Sequence, residues 1–118
     1  MMNIKPQASD LFEYGSVGLF EISDAGTVLY CRTGEGIFLD GSTAVGRNFF
    51  DEVAPFENTE ELRRHFNYFI KCDFSSENFT FTCRVKNQDI PAKVKLVRVS
   101  ELANNERVKT TIVDIRKL

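Results

Sequence analysis

Alternating apolar and polar residues predict strands at both ends of the chain, with helical segments between them. From Ser16 to Ser23, Val17, Leu19 and Glu21 alternate with Gly18, Phe20 and Ile22, the two-residue period of a strand. Asp24-Ala25-Gly26 is a tight-turn sequence, and Thr27 to Arg32 returns as a second strand, which makes an N-terminal hairpin. Gly34, Gly36, Gly41 and Gly46 then punctuate segments too brief for long helices, so one-turn helices are expected there. After Asn58 the period changes. Leu62, Phe66, Phe69 and Ile70 share one face of a helix running from about Glu60 to Lys71. Asn58 or Thr59 is its expected cap, and Glu60 and Glu61 suit the positive end of its dipole.

Three strands finish the chain. Phe79, Phe81, Cys83 and Val85 alternate with Thr80, Thr82 and Arg84; Ala92, Val94 and Leu96 alternate with Lys93 and Lys95; Val108 to Ile115 is the last strand. The polar stretches Asn87-Gln88-Asp89 and Ala103-Asn104-Asn105-Glu106 are the expected turns, and hairpins imply an antiparallel sheet. Ser9 or Asp10 could cap a short helix through Leu11, Phe12 and Tyr14 that ends at Gly15. The organisation expected is an N-terminal segment or capping helix over 1–15 and one α+β domain over 16–118. The later strands are apolar on parts of both faces, with Val97 and Val99 against Leu96, and Val113 and Ile115 against Ile112. A sheet facing water on one side alternates more cleanly. Leu11, Phe12, Val97, Val99, Val113 and Ile115 are therefore the expected interaction surface, covered by the N-terminal helix or by a second subunit.

Composition narrows the function classes. At 118 residues the chain fits one domain with a real core. Its 11 Phe and no Trp suit a packed sheet or an apolar pocket. A net charge of -2 without a basic stripe argues against nucleic-acid binding through phosphates. Cys31, Cys72 and Cys83 are odd in number and form no C-x-x-C pair, so reduced thiols in a cytoplasmic protein are expected rather than disulfides or a thiolate metal site. The first ten residues do not read as a signal peptide, and no apolar stretch approaches the roughly 20 residues of a membrane span. The motifs G-x-S-x-G, H-E-x-x-H and a phosphate-binding glycine loop are absent, and a lone histidine makes no catalytic triad. A non-enzyme is expected; a small-substrate enzyme on an α+β fold is an alternative without a named nucleophile or base.

The segment Gly46-Arg47-Asn48-Phe49-Phe50-Asp51-Glu52-Val53-Ala54-Pro55 resembles the GKNFFxxVAP segment of the photoactive yellow protein family of PAS domains. Glu35-Gly36 and Pro91-Ala92-Lys93-Val94-Lys95, which resembles PTKVKV in that family, extend the match, and the order of elements carries it over 16–117. The resemblance implies the PAS fold: a five-stranded antiparallel sheet with short helices and one longer helix across one face. In that family the segment ends on a cysteine bearing a 4-hydroxycinnamoyl thioester. Here Phe56 follows Pro55, and a phenyl ring has no nucleophile to form such a bond. Glu35 falls at the family's buried glutamate, where it could hold a proton and bond a polar ligand atom; its other reading is an exposed loop acid between two glycines. The family's tyrosine aligns with Cys31. Tyr30, one residue away, points to the other face unless a bulge restores it. Arg32 and Arg47 are the candidates nearest to the family's arginine. Haem-binding PAS proteins take iron on a histidine of the long helix, which makes a haem gas or redox sensor using His65 a rival reading; the other reading of His65 is a half-exposed helix residue.

Taken with the resemblance, these residues predict a sensory module that binds no cofactor. Cys31, Glu35, Phe49, Phe50, Phe56, Phe66 and Cys83 are the expected pocket for a small, mostly apolar ligand held without a covalent bond. The expected partners are a second copy of the chain or a signalling protein such as a kinase, with neither nucleic acid nor membrane involved.

Overall fold

The last strand of the chain lies in the middle of the sheet. The computed structural model describes residues 16–34 and 41–118. Its strands are β1 (Ser16–Ser23), β2 (Val28–Thr33), β3 (Ser76–Val85), β4 (Gln88–Ala103) and β5 (Glu106–Lys117). A one-turn helix α1 (Gly41–Ala44), a π-helical turn (Phe49–Val53) and the long helix α2 (Thr59–Lys71) lie between β2 and β3. The sheet order is β2-β1-β5-β4-β3, and all neighbours are antiparallel. The two hairpins β1–β2 and β3–β4 therefore meet only through β5, and the sheet closes only once the chain's end pairs with its beginning.

Register decides which residues face the helices. Phe20 pairs with Val113 and Val113 with Leu96; Gly18 pairs with Ile115 and Ile115 with Val94. These side chains share one face with Phe81 and Cys83, and α2 buries Leu62, Phe66 and Phe69 in the same core cluster. At about 25 cal/mol per Å² of apolar area removed from water, this two-sided burial is the main source of stability.

Two expectations about faces are corrected. Val113 and Ile115 are buried to 1% and 0% exposure on the helix side, not on the outer surface. Their alternation puts Ile112 outward instead, paired with Val97, and Val97 and Val99 are half-buried on that outer face. The period in β1 is broken by a bulge between Ser16 and Gly18, so Val17 joins the core along with Phe20 and Ile22. Leu11, Phe12 and the expected N-terminal helix lie outside the described residues, as does Glu35.

The ends of α2 differ from the simple capping expected. Asn58 occupies the cap position without a side-chain cap bond. Its Nδ2 donates to Thr82 O at 2.7 Å and its Oδ1 accepts from Arg84 N–H at 3.2 Å, while Glu57 N–H donates to Arg84 O at 2.8 Å. Asn58 thus covers part of the β3 edge instead of the helix. At the other end Asp73 takes φ 53°, Phe74 N–H reaches Phe69 O at 3.3 Å and Asp73 N–H reaches Ile70 O at 3.0 Å. This is a Schellman stop, and the Phe74 ring packs on Phe69 at 6.3 Å as that motif's hydrophobic contact.

The turn between β3 and β4 also sits earlier than its polar residues suggested. Val85 pairs with Gln88 and Arg84 with Asp89, which leaves Lys86 and Asn87 as the two loop residues, both with positive φ. The β4–β5 turn has the same form, with Asn104 and Asn105 at φ 52° and 65°. Two-residue hairpin loops with positive φ at both positions favour Asn and Gly, and Lys is poorly suited to them. Replacing Lys86 with Asn, the pair the chain uses in its other hairpin, should raise the unfolding free energy by about 0.5 kcal/mol in urea titrations with an unchanged slope. A loss of stability would contradict this account of the turn.

Candidate functional site

The segment 46–55 is held against the first hairpin by backbone bonds and one side chain. Gly46 has φ +91°, which a side chain would disfavour, and its N–H donates to Val28 O at 2.8 Å. Val28 N–H donates to Arg47 O at 2.9 Å and Phe49 N–H to Gly26 O at 2.8 Å. Asn48 then caps the π turn: its Oδ1 accepts from the N–H groups of Phe50 and Asp51, both at 3.0 Å. Its Nδ2 donates to Ala25 O in the β1–β2 turn at 3.2 Å, and its own N–H donates to the Glu52 carboxylate at 3.1 Å. Gly26, at φ +94°, leaves room for this arrangement, since a Cβ there would lie 3.0 Å from Asn48 Nδ2.

The clasp delivers two neighbouring rings into the interior. Phe49 meets Phe20 of β1 edge-on with centroids 4.8 Å apart, and Phe50 meets Phe49 at 5.0 Å and Phe66 of α2 at 5.1 Å. Four rings therefore run from the sheet through the π turn to the helix. Pairs of this kind are worth about 0.5–1.5 kcal/mol beyond their buried area. Arg63 closes the outer side: its guanidinium lies 5.3 Å from the Phe50 centroid, pairs with Asp51 of the π turn and reaches Glu60 at 3.3 Å. The hydrogen bond to Asp51 raises the already high pKa of Arg63.

The expected pocket residues divide into two groups. Cys31 lies opposite Phe20 on β2, half-buried against the core, while Phe49, Phe50 and Phe66 meet in the run of rings that starts at Phe20. Phe56 instead packs on Phe81 of β3 at 5.9 Å, with its carbonyl accepting from Thr59 Oγ1 at 2.6 Å. Cys83 is fully buried on the same face of β3, and burial pushes its thiol up to about 11. Tyr30 pairs with Glu21 and is exposed on the outer face, one residue from inward-facing Cys31; the bulge between Glu21 and Ile22 comes beyond it and brings Val28 rather than Leu29 opposite Ile22. Arg32 and Arg47 are exposed. The His65 ring lies flat on Phe79, 4.0 Å away with 9° between planes. It borders an open groove of about 300 Å³ shared with Glu61, Arg64 and Tyr68. That charged, open setting does not fit the two apolar faces of a haem.

Asn48, Phe20 and Arg63 were not singled out by the sequence reading. A capping preference at Asn48, directly before two buried aromatics, was the signal available for the first.

No protein-family profile matches the chain, and no curated protein matches it. Solved structures do. The photoactive yellow protein domain of the sensor histidine kinase Ppr from Rhodospirillum centenum superposes with a TM-score of 0.64 at 18% identity, over 96% of this chain and 100% of that one. A sensory box sensor histidine kinase from Vibrio cholerae gives 0.65 at 13% identity, over 93% and 88%. The PAS domain of the RpfR quorum-sensing receptor from Cronobacter turicensis, in complex with BDSF, gives 0.60 at 14% identity, over 90% and 96%. The chain has the PAS fold, in an α+β form shared with photoactive yellow protein domains. At these identities the likeness is one of fold. No helix among the described residues is long and apolar enough to cross a membrane.

Asn48→Ala should lower the unfolding free energy by about 2 kcal/mol, one part from the lost cap and one from the lost bond to Ala25. Asn48→Asp, which keeps the acceptor and loses the donor, should recover about half. Equal loss in both variants would show that capping contributes nothing. Cys83 supplies a pH signature. Its folded pKa lies above its unfolded one, so its contribution is complete below pH 9 and disappears as pH rises through about 11. Stability should fall across that interval by on the order of 2 kcal/mol more than in Cys83→Ala, and parallel curves would contradict a buried thiol.

Proposed function

We propose that the chain is a sensory and signal-transducing module which holds a small, mostly apolar ligand without a covalent bond. The ligand lies between the inner sheet face and the roof formed by the π turn and α2. The observation that carries this reading is the run Phe20–Phe49–Phe50–Phe66, an aromatic interior whose middle members hang on the bonds made by Asn48. A roof tied to the sheet mainly at its two ends, by Asn48 with a few backbone bonds and by Asn58, can take a second arrangement between them, and a ligand that binds one arrangement better shifts the population toward it. Likeness in fold to domains of sensor kinases and of a quorum-sensing receptor supports the sensory part of the reading. Phe56 in the position of the attachment cysteine supports non-covalent binding. Burial holds the thiol of Cys83 protonated, which disfavours nucleophilic catalysis through that residue.

A second reading has its own support. Val97, Val99 and Ile112 are half-buried on the outer face, with Tyr30 exposed on β2 beyond them, a surface on which a second copy or a kinase could receive the signal. Haem sensing through His65 is less favoured, since its ring is engaged with Phe79 beside Glu61 and Arg64.

Thermal melts against a panel of small aromatic and aliphatic compounds test the first reading. A ligand at a hundred times its Kd adds about 2.7 kcal/mol, a rise in Tm on the order of 10 °C. Phe50→Ala should abolish that rise. Protein purified from its native source should show only the aromatic absorption band, whereas a Soret band would replace this reading with haem. If no compound shifts the melt while the chain self-associates in solution, the outer-face reading stands alone.

A further inference from the structure

The β4–β5 hairpin runs past the rest of the sheet. The last β3 residue to pair with β4 is Ser76, opposite Val97, and β1 ends opposite Thr110. Beyond them, Ser100↔Lys109, Glu101↔Val108, Leu102↔Arg107 and Ala103↔Glu106 pair only with each other, and every residue from Ser100 to Lys109 is exposed. A two-stranded ribbon by itself is at best marginally stable in water.

The ladder's parity shows which backbone groups are left over. The two-residue turn closes on Ala103↔Glu106, so Ala103, Glu101 and Val99 exchange bonds with β5, and Arg98, Ser100 and Leu102 turn theirs the other way. Arg98 N–H reaches Ser75 O at 2.9 Å, as this parity requires. Among the described residues nothing continues that pairing, which leaves the N–H and C=O groups of Ser100 and Leu102 open. On the opposite edge the equivalent residues are Arg107 and Lys109, and cationic side chains are a common guard on free edges. The β4 edge has no such guard, and Leu102 is 68% exposed.

Charge selects the occupant. The ribbon's helix-side face carries Ser100, Leu102, Arg107 and Lys109; its other face carries Glu101, Ala103, Glu106 and Val108. A second copy paired through all four open groups would set Glu101 directly against Glu101, and like charges directly opposite are destabilising. We propose that the β4 edge at Ser100–Leu102 accepts an extended peptide of a partner protein as an added antiparallel strand, with a basic side chain opposite Glu101 and an apolar one opposite Leu102; Lys109 on the helix-side face already pairs with Asp73 at 3.4 Å. This is strand addition, in which backbone bonds give affinity and alternate side chains give selectivity. The surface is separate from both the interior and the outer-face site described above.

The test is an NMR titration of the full ¹⁵N-labelled chain with acetyl-Thr-Val-Lys-Glu-Val-amide, whose Val, Lys and Glu fall opposite Leu102, Glu101 and Ser100. The amides of Ser100 and Leu102 should shift downfield together, and the peptide with Lys and Glu exchanged should bind about fivefold more weakly. Ser100→Pro removes only an outward N–H, so it should keep the fold and lose the shifts. Should that variant fail to fold, Glu101→Lys should reverse the preference between the two peptides. Unmoved Ser100 and Leu102 amides, or equal binding of both peptides, would overturn the proposal. So would the same shifts on raising the protein concentration without peptide, which would assign the edge to a second copy.

Discussion

Two hydrogen bonds accepted by Asn48 Oδ1 hold the interior in its present arrangement. They turn the backbone so that Phe49 faces β1 and Phe50 faces α2. The same side chain reaches the first hairpin turn through Ala25, and Gly26 is the residue that allows it so close. The aromatic run and the seat of Arg63 over Phe50 depend on that amide together with the backbone bonds of Gly46, Arg47 and Phe49 to the first hairpin. A single acceptor serves two donors of the turn, the Phe50 N–H at a part-buried position and the Asp51 N–H at an exposed one, each such bond contributing about 0.5–1.5 kcal/mol.

Rigidity is distributed unevenly as a result. The inner sheet face is a continuous layer of Phe20, Ile22, Val94, Leu96, Val113 and Ile115, each fixed by ladders on both sides. The roof has no ladder to the middle of the sheet. It meets the sheet through rings, is tied at one end by Asn48 and is tied at the other by Asn58 on the β3 edge. Elements with few backbone bonds to their surroundings open at lower free energy than core strands. That contrast is what a population-shift sensor needs: a fixed platform and a roof that can repack.

Much of this was legible in the sequence, and the failures have physical causes. The succession of elements along the chain, α2 and the fold followed from periodicity and from the resemblance carried by residues 46–55, whereas the order of strands in the sheet came only from the structure. The faces of Val113 and Ile115 did not, because β5 is apolar in consecutive positions and only its pairing with Leu96 and Val94 fixes the phase. The β3–β4 turn was displaced because Lys86 does not look like a left-handed residue. Asn58 reads as a helix cap in sequence, but its amide serves a strand far along the chain. Of the expected site, Phe49, Phe50 and Phe66 come together around Phe20, while Phe56 and Cys83 form a second group with Phe81. No linear pattern reports which rings will meet, since that depends on how α2 sits across the strands.

The central claim is that the π turn opens separately from the sheet. Native-state hydrogen exchange of the Phe50 and Asp51 amides, followed against that of Val113 as denaturant increases, tests it most directly. The account predicts that Phe50 and Asp51 exchange through an opening of lower free energy and weaker denaturant dependence than Val113. Exchange of all three amides at one free energy and one slope, through global unfolding alone, would contradict it.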